Sequence, residues 1–304
     1  MKRETKVRLI LNVAAMAVML GATPALAQSR VGDPQAPSPI AAHTSLWTED
    51  LTAFEVRDAI RAGSTTILIG AGGVEYNGPY VVSGKHNYVL QTVLPYIARE
   101  IGHTLIAPVV KFVPEGGIDP PTGHMAGAAT ISVEPSTFQA LMMDICRSYK
   151  AHGFVDIILV GDSGSSQAGL EAVAAELNRR WAGEKARIHY LPQYYNEDKW
   201  SYAFLKARGI VQIEKTPAPG EAPDRPAAVR NGLHDDIYYE AQIAVQDPAL
   251  IRMEERRKAG LFSLHGVELD PLDRTVQLGR DLAKYRAGIT AKAFSQSQER
   301  LRPE

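Results

Sequence analysis

The sequence predicts an α/β protein with a mainly parallel sheet and helices on both faces. Two kinds of segment alternate along the chain: compact apolar runs such as "TTILIG" and "VDIILVG", and stretches whose apolar residues recur at helical spacing. Strands that alternate with helices form right-handed βαβ units, and the helices then cover both sides of the sheet. A chain of 304 residues can bury a large core in such a fold.

The first 27 residues predict a secretory signal peptide. The basic start "MKRETKVR" precedes the 14-residue apolar core "LILNVAAMAVMLGA", and Ala25-Leu26-Ala27 is the small-x-small pattern that signal peptidases cut. The core is shorter than the about 20 apolar residues of a spanning helix. We therefore expect a periplasmic or secreted bacterial protein without a stable membrane anchor. A retained N-terminal anchor is the alternative.

The remainder predicts a flexible arm over 28–45, rich in Pro, Ser and Ala, and a single α/β domain over 46–304. Loss of the signal takes away four basic residues and one acidic residue, so the formal net charge changes from -1 to -4. This mild acidity is spread along the chain and disfavours nucleic acid as a partner. Cys146 is the sole cysteine, so no internal disulfide can form, and its helical apolar surroundings predict a buried thiol.

The first elements of the domain are a helix, a strand and a second helix. "FEVRDAIRAG" predicts a short helix that ends at Gly63, and a strand follows near 65–70. Residues 87–101 repeat apolar positions at helical spacing. Pro95 interrupts this pattern, and we expect it to kink the helix or delay its start.

The middle of the domain continues with two strands and a helix. The strands are predicted near 104–108, in "TLIAPVV", and in "ATISV". Pro135 suits the first turn of the helix that follows over 136–151.

The last part of the domain predicts strands near 155–160 and 187–191, separated by the amphipathic helix "QAGLEAVAAELNRRW". Four prolines within 214–232 predict a loop that could act as a lid. A long amphipathic helix is expected over 272–294.

Polar, glycine-rich loops at 71–86 and 161–167 leave the carboxyl ends of two predicted strands, where open parallel sheets bind ligands. A third loop contains "EGGIDPPTGH". Converging carboxylates and imidazoles are what a divalent metal ion requires. The loops supply these and other polar groups: Glu75, Asn77, Tyr80, His86, Glu115, Asp119, His124, Asp162 and Ser163.

The stretch "ILVGDSGSSQAG" admits two other interpretations. "GDSG" occurs at the nucleophile of trypsin-like proteases, but those are all-β proteins, and a hydrolase elbow G-x-S-x-G needs glycine where this chain has Ser165. A phosphate-binding loop needs a lysine and further glycines. The sequence favours the rim of a metal site, although a nucleophilic Ser163 stays open.

Three blocks of the chain carry a recognisable pattern. "IGAGGVEYNGPYVVSGKHN" is similar to the signature "STEQHGPHLPLGTD", and the segment from "ATISV" to "GDSGSSQAG" is similar to "GTISL…P…L…D…RSL..HGF..I…NGHGGN". With the C-terminal block "DPLDRTVQLGRDL", the chain resembles the creatininase family of metal-dependent amidohydrolases from about residue 46 to 298. The resemblance implies a layered α/β fold, a divalent-metal centre, hydrolysis of a small amide or cyclic amide, and a hexamer.

The resemblance carries over the family's metal ligands only in part. Glu75 matches a metal-ligating Glu, whereas Asn77 stands at a usual His ligand. His86 stands at the Asp that bridges two metals, and Ser163 at the His of "NGHGGN". An exported branch of the family reads "TEQNGPH…GKHN" and "GDSGGNQ", and the chain resembles this branch at Asn77, Lys85-His86 and Asp162-Ser163.

The resemblance thus implies that Glu75, His86 and Asp162 ligate one ion rather than two, with an open position for water. Zn²⁺ is the first expectation and Mn²⁺ the second. Each residue also has a purely structural interpretation. Glu75 could cap the next helix, His86 could be a helix N-terminal residue without a ligand role, and Asp162 could be the N-cap of the helix from Gln167.

His234, in "NGLHDDIYYEA", lies where the family has "HAGE", whose His serves as a proton shuttle. Neutral imidazole can move a proton from attacking water to a leaving nitrogen. We therefore predict His234 and Glu75 as catalytic residues. Asp236 could orient His234, bind metal or cap a helix. The other second-tier candidates, for substrate binding or support, are Asn77, Tyr80, Asp119, His124 and Ser163.

The sequence favours a homo-oligomeric metal-dependent hydrolase that acts on a C–N bond of a small-molecule amide or cyclic amide. The main rival is a binding or scaffold protein that kept the fold and lost the metal. The changes at 77 and 163 favour this rival, and the acceptable ligands at 86 and 162 argue against it. A serine hydrolase that uses Ser163 and His234 is the third hypothesis.

Overall fold

The computed structural model describes Asp33 and residues 35–195, 197–210 and 234–302. The predicted signal peptide and the loop predicted at 214–232 lie outside these residues. The chain divides into two units, Met1–Ile40 and Ala41–Glu304. In the first, the described residues form a turn in which Asp33 Oδ1 accepts a hydrogen bond from the Gln35 amide at 2.9 Å. The second contains all the strands and helices described below.

A four-stranded parallel sheet forms the centre of the second unit. Its strands are β1 (Thr66–Ala71), β2 (Thr104–Ile106), β3 (Asp156–Gly161) and β4 (Arg187–Tyr190), in the order β2-β1-β3-β4. Ala71 pairs with Gly161 at the carboxyl ends of β1 and β3. The loops after these two strands therefore leave the same edge of the sheet side by side, as predicted.

Helices cover both faces of the sheet, which confirms the predicted fold class. They are α1 (Ala53–Arg61), α2 (Lys85–Ile101), α3 (Pro135–Ala151), α4 (Gln167–Arg180), α5 (Glu197–Ala207), α6 (Ile237–Gln246), α7 (Met253–Ala259) and α8 (Leu272–Leu301). Because side chains alternate along a strand, Leu68 and Ile158 pack into a core with α2, α6 and α8. Ile67 and Ile157 pack into a second core with α3 and α4, which includes the buried thiol of Cys146.

The predicted strand in "ATISV" is wrong. This segment makes a single antiparallel bridge, between Ile131 and Val74, and the Ile131 side chain is 47% exposed. Apolar alternation gives a strand only when a neighbouring strand offers a continuous ladder, and here the neighbour is a loop. β2 is also shorter than predicted and ends at Ile106. Pro108, which has no amide hydrogen, follows two residues later.

Pro95 neither ends α2 nor delays its start, because the helix runs without interruption over Lys85–Ile101. The C-terminal helix α8 is longer than predicted and continues to Leu301. Gly279 lets α8 approach α6 closely: a Cβ at this position would lie 1.9 Å from the carbonyl oxygen of Ala241. A short antiparallel pair, β5 (Ser263–Leu264) and β6 (Val267–Glu268), precedes α8. Within the described ranges, no helix has both the length and the apolar character needed to cross a membrane.

Candidate metal centre

Two loops bring Glu75 and Glu115 together beyond the carboxyl end of the sheet. Glu75 lies in the loop after β1, and Glu115 lies in the loop after β2, where its amide donates to Ser132 Oγ at 2.9 Å. Gly73 makes room for the second carboxylate. Its φ is 148°, and a Cβ there would lie 2.3 Å from Glu115 Oε1. A side chain at position 73 would therefore displace Glu115.

His124 completes a group of three possible metal ligands. Donor atoms of Glu75, Glu115 and His124 lie within 4.8 Å of one another. Among the described residues, these three form the group whose donor atoms are close enough to share a metal ion. His124 Nδ1 is 2.8 Å from Glu75 Oε2 and 3.3 Å from Glu115 Oε2. The carboxylates are 2% and 3% exposed, while the imidazole is 32% exposed. Solvent therefore reaches the group from the His124 side.

The protonation of His124 follows from this geometry. Hydrogen bonds to Glu115 and Glu75 raise the pKa of His124 to about 10, although partial burial acts against the charge. The proton on Nδ1 thus lies between two carboxylate oxygens. A divalent ion takes the place of such a proton when imidazole and carboxylates bind it together. The donor set, two carboxylates and one imidazole, fits Zn²⁺ or Mn²⁺.

Glu115 retains the capacity to bind a cation. Its Oε1 is buried without a hydrogen-bond partner in the described structure. Its Oε2 accepts hydrogen bonds from Ser165 Oγ at 3.1 Å and from Ser163 Oγ at 3.4 Å. The two hydroxyls also contact each other at 2.7 Å. Ser163 thus donates to a carboxylate, and its contacts are those of a group that holds Glu115 in place.

Glu75 Oε1 faces a different set of nitrogen atoms. Lys85 Nζ lies 2.6 Å from it, His86 Nε2 3.2 Å and His234 Nδ1 3.5 Å. Burial acts to raise the pKa of Glu75, but the charges of Lys85 and His86 and the hydrogen bond from His124 outweigh it and hold the pKa far below its usual range. Glu75 is therefore an ionised carboxylate in a nearly closed site.

His86 bridges Glu75 and Asp162. Its Nε2 faces Glu75, and its Nδ1 lies 2.8 Å from Asp162 Oδ2. Burial opposes the charged ring, yet the two carboxylates raise the pKa of His86 to about 9. Its ring stands edge-on to Tyr239, with centroids 5.6 Å apart. At neutral pH both ring nitrogens accordingly donate hydrogen bonds to carboxylates.

Asp162 is fully buried, and both of its oxygens are engaged. Oδ1 accepts a hydrogen bond from the Tyr194 hydroxyl at 2.8 Å and lies 3.0 Å from Arg286 Nη1, while Oδ2 faces His86. Burial acts to raise the pKa of Asp162, but Arg286, His86 and Tyr194 lower it. Asp162 is not the N-cap of α4, because Ser166 holds that position, and Ser163 caps the short 3-10 turn Gly164–Ser166 that precedes the helix.

His234 lies close to Glu75 and is uncharged. Its Nδ1 is 2.8 Å from Asn77 Oδ1 and 3.1 Å from the carbonyl oxygen of Tyr76. Asn77 Nδ2 donates to the carbonyl of Val82 at 3.2 Å, which fixes Oδ1 as the atom that faces His234. Burial, and then the charge of Lys85, lower the pKa of His234 to about 4. Nδ1 therefore carries the hydrogen, and the lone pair is on Nε2.

The structure brings some of the predicted site residues together and separates others. Glu75, Asn77, His86, His124, Asp162, Ser163 and His234 form one contact network. Asp236 caps α6, because its Oδ1 accepts from the Tyr238 amide at 3.0 Å. Tyr80 lies against Arg256, whose Cζ is 4.5 Å from the ring centroid. Asp119 is exposed in the loop after β2.

The structure brings the predicted ligand trio of Glu75, His86 and Asp162 into contact through His86, but the donor atoms that lie within 4.8 Å of one another belong to Glu75, Glu115 and His124. The His86 ring stands between the two carboxylates and separates them. Sequence reasoning named Glu115 in a polar loop but did not count it as a ligand. Glu115 is distant from Glu75 along the chain and belongs to no recognised motif, so the sequence did not mark it as a candidate ligand. Only the path of the loop after β2 brings it to the site.

Comparisons with known proteins agree with this fold. A family model described as "Creatininase: Creatinine amidohydrolase" matches residues 49–285. A crystal structure of creatinine amidohydrolase is similar, with a TM-score of 0.55, 16% identity, and coverage of 86% of this chain and 100% of that chain.

Two further similar structures have a metal in their names. A mutant creatininase of the "Zn-Zn type" has a TM-score of 0.54 and 15% identity. A structure named "Creatininase Mn" has a TM-score of 0.54 and 16% identity. Both cover 86% of this chain and 100% of the other chain. No curated protein sequence matches the chain.

Proposed function

The chain belongs to the creatininase family, and on that premise we propose that it is a metal-dependent hydrolase of a C–N bond in a small amide or cyclic amide. The observation that carries this proposal is the convergence of Glu75, Glu115 and His124 within 4.8 Å of one another. The site lies beyond the carboxyl end of a parallel sheet, which is where such folds bind their ligands.

We propose Glu75, Glu115 and His124 as the residues that hold one divalent ion, with zinc expected first and manganese second. The metals in the names of two similar creatininase structures support this choice. When bound, the ion would polarise the amide carbonyl and lower the pKa of a water molecule. His86 and Asp162, predicted as ligands, instead support Glu75: Asp162 orients the His86 ring, whose other nitrogen donates to Glu75 Oε1.

His234 is the residue we propose to move the proton. Asn77 and the Tyr76 carbonyl hold the hydrogen on its Nδ1, so that Nε2 accepts a proton from water and then delivers it to the leaving nitrogen. The low pKa keeps the ring neutral over the whole neutral range. A positioned base of this kind contributes about 10²–10⁴-fold to the rate.

The serine hypothesis has little support from the geometry. A serine nucleophile needs a base that takes its proton. The Ser163 hydroxyl instead contacts Glu115 and Ser165, while His234 is turned to Asn77 and Tyr76 through Nδ1. Ser163 therefore acts, in this proposal, as a positioning group for the carboxylate of Glu115.

A metal-free binding protein is the second candidate, and one observation favours it. The buried carboxylates already have cationic partners within the chain: Lys85 for Glu75 and Arg286 for Asp162. Such a site is stable without an added ion. The unpartnered Glu115 Oε1 argues for the enzyme, because a buried carboxylate oxygen without a partner is costly unless a ligand completes it.

The experiment is metal analysis of the purified protein, joined to an assay against creatinine and a panel of linear and cyclic amides. We expect one retained zinc or manganese ion per chain, loss of hydrolysis after chelation, and recovery when the metal returns. His124→Ala should lose both metal and activity. The matched control His152→Ala alters an imidazole at the end of α3, far along the chain from the site, and should lose neither. If wild-type protein binds no ion at excess zinc, the hydrolase proposal is wrong and the metal-free binding protein is the remaining hypothesis.

Export and assembly complete the proposal. The "MKRETKVR" start, the short apolar core and the Ala25-Leu26-Ala27 pattern support a periplasmic or secreted location. The family resemblance supports a homo-oligomer. Mass spectrometry of the mature N-terminus and light scattering of the purified protein would test the two statements separately.

A further inference from the structure

Ser165 ties together two loops of the candidate metal centre. It lies in the loop after β3, whereas Glu115 lies in the loop after β2, 50 positions earlier. Its Oγ is 3.1 Å from Glu115 Oε2, closer than Ser163 Oγ at 3.4 Å. The pattern "GDSGGNQ" has glycine at this position, so the hydroxyl is a feature of this chain.

The carboxylate of Glu115 has two unlike sides. Its Oε1 lies against Gly73 and has no hydrogen-bond partner in the described structure. Its Oε2 faces the hydroxyls of Ser165 and Ser163 and, at 3.3 Å, His124 Nδ1. The described contacts that orient this carboxylate therefore act on one of its oxygens, and the serines supply two of them.

The two hydroxyls can supply Glu115 with one hydrogen at a time. Each hydroxyl has a single hydrogen, and the 2.7 Å contact between Ser163 and Ser165 uses one of the two. Ser163 Oγ also accepts the Ser165 amide at 3.4 Å, which leaves its own hydrogen free to point to Ser165 Oγ. The remaining hydrogen then belongs to Ser165, which has the shorter contact with Glu115. Hydrogen bonds in such a chain strengthen one another.

The turn that carries Ser165 holds the hydroxyl in place. Ser163 caps the 3-10 turn Gly164–Ser166. Gly164 packs against Tyr195, because a Cβ at position 164 would lie 2.8 Å from the Tyr195 hydroxyl oxygen. Ser165 itself is exposed. Its substitution therefore removes a hydroxyl without opening a cavity in the core.

We propose that Ser165 is a positioning residue of the candidate metal centre, and that its hydroxyl holds Glu115 in the orientation in which Glu75, Glu115 and His124 bind one divalent ion. The inference rests on the proposed function, because it assumes that these three residues bind a metal. Without the hydroxyl, the carboxylate of Glu115 can rotate away from His124, and the ion is held less tightly. Partners of metal ligands contribute about 10–100-fold to metal affinity.

Zinc affinity, measured by titration against a competing chelator, tests the inference without any assay of activity. We expect Ser165→Ala to bind zinc about tenfold more weakly than wild type, the lower end of that range, because Ser163 can turn its hydrogen to Glu115. Ser165→Gly also lacks the hydroxyl and should be as weak, whereas Ser165→Thr keeps the hydroxyl and should restore most of the affinity. The matched control Ser148→Ala removes a hydroxyl that donates to the Asp144 carbonyl at 2.8 Å on α3, and it should bind zinc as wild type does.

The outcomes separate the inference from the proposed function. A folded Ser165→Ala that binds zinc as tightly as wild type, or a Ser165→Thr that is as weak as Ser165→Ala, would overturn the role of the hydroxyl and leave the hydrolase proposal intact. Urea denaturation of the metal-free proteins should give equal stabilities, and a loss in Ser165→Ala would show that the hydroxyl serves the fold instead. Wild-type protein that binds no zinc would remove the proposed function and, with it, this inference.

Discussion

Two buried carboxylate clusters of this molecule differ in the number of cationic groups that face their carboxylates. In the Glu75 cluster (Glu75, Glu115, Lys85, His86 and His124), each carboxylate has at least one cationic nitrogen within 3.3 Å. In the Glu240 cluster (Asp235, Glu240 and Arg256), one guanidinium serves two carboxylates. Arg256 Nη2 contacts both oxygens of Glu240 at 2.9 and 2.8 Å but lies 4.0 Å from Asp235.

The difference shows in the protonation of the carboxylates. The pKa of Glu75 is held well below its usual range, as described above. Burial raises the pKa of Asp235 and of Glu240 above the usual range, although the charge of Arg256 acts against the rise. A surplus of cations keeps the Glu75 carboxylate ionised, whereas a shortage of cations lets burial raise the pKa of Asp235 and Glu240. Burial alone therefore does not set the pKa of a carboxylate; the number of neighbouring cations decides its direction.

The largest expected effect breaks the Glu240 cluster. Arg256→Met leaves Glu240 buried without its partner, and removal of one member of a buried ion pair costs about 3–5 kcal/mol. We expect urea denaturation to show this loss in the free energy of unfolding. Arg257→Met is the matched control: it breaks an exposed pair with Asp270, and should cost at most about 1 kcal/mol. Equal losses in the two variants would contradict the importance of burial.

The second prediction breaks the Glu75 cluster without unfolding the protein. Glu115→Gln keeps the shape of the side chain but removes its charge, so zinc should bind about 10²–10³-fold more weakly. The size follows from the about 10–16 kcal/mol that four ligands share in structural zinc sites. Titration against a competing chelator measures the affinity. Glu176→Gln, which alters a surface carboxylate paired with Arg179 and Arg180, should leave it unchanged.

The third prediction sharpens the comparison through pH. Because the pKa of Asp235 is higher in the folded state than in the unfolded chain, the native state holds a proton that the unfolded state has lost. This stabilisation is complete at acid pH and disappears as pH rises through the folded pKa. The Asn side chain of Asp235→Asn cannot ionise. The variant should therefore become more stable relative to wild type as pH rises above about 4, and the difference in the free energy of unfolding should reach on the order of 1–3 kcal/mol at alkaline pH.

The measurement for Asp235 is a series of urea denaturations from acid to alkaline pH on metal-free protein. Asp144→Asn, on an exposed face of α3, should run parallel to wild type at every pH. The Glu75 cluster has the reverse sign, since a lowered carboxyl pKa gives stability that is lost as pH falls. Glu75→Gln lacks this stabilisation, so it should fall behind wild type as pH rises from acid to neutral. A Glu75→Gln variant that instead gains on wild type with rising pH, as Asp235→Asn should, would erase the distinction between the clusters.

The smallest expected effect concerns the base beside the Glu75 cluster. Asn77→Ala removes the acceptor that holds the hydrogen on His234 Nδ1. We expect kcat to fall about tenfold, the lower end of the cost of an outer-shell partner, with metal content unchanged. The Tyr76 carbonyl remains as a second acceptor, which is why the effect is modest. A loss of bound metal in this variant would show that Asn77 acts on the ion rather than on His234.

The sequence by itself determined the four strands of the sheet and the helices α1 to α4 and α8, but it did not predict α5, α6 and α7. The strands near 65–70 and 155–160 were predictable because their apolar runs are compact and each is followed by a polar, glycine-rich loop. "ATISV" has the same local character and is not a strand, because pairing depends on a neighbour that no local pattern reveals. The edge of the sheet that carries the site followed from parallel connectivity, and so did the prediction that the loops at 71–86 and 161–167 leave the same edge.

Only the tertiary structure decided which carboxylates join the candidate metal group. Glu115 enters the site through the path of a loop, and Gly73 and Ser132 hold it there. Arg286, which is 211 positions after Glu75, forms a buried ion pair with Asp162, which no local pattern around Asp162 indicates. Ligand roles depend on which charges lie within a few ångströms, because electrostatic energies inside a protein fall with distance and rise with burial. A sequence lists these charges, but the fold sets the distances between them.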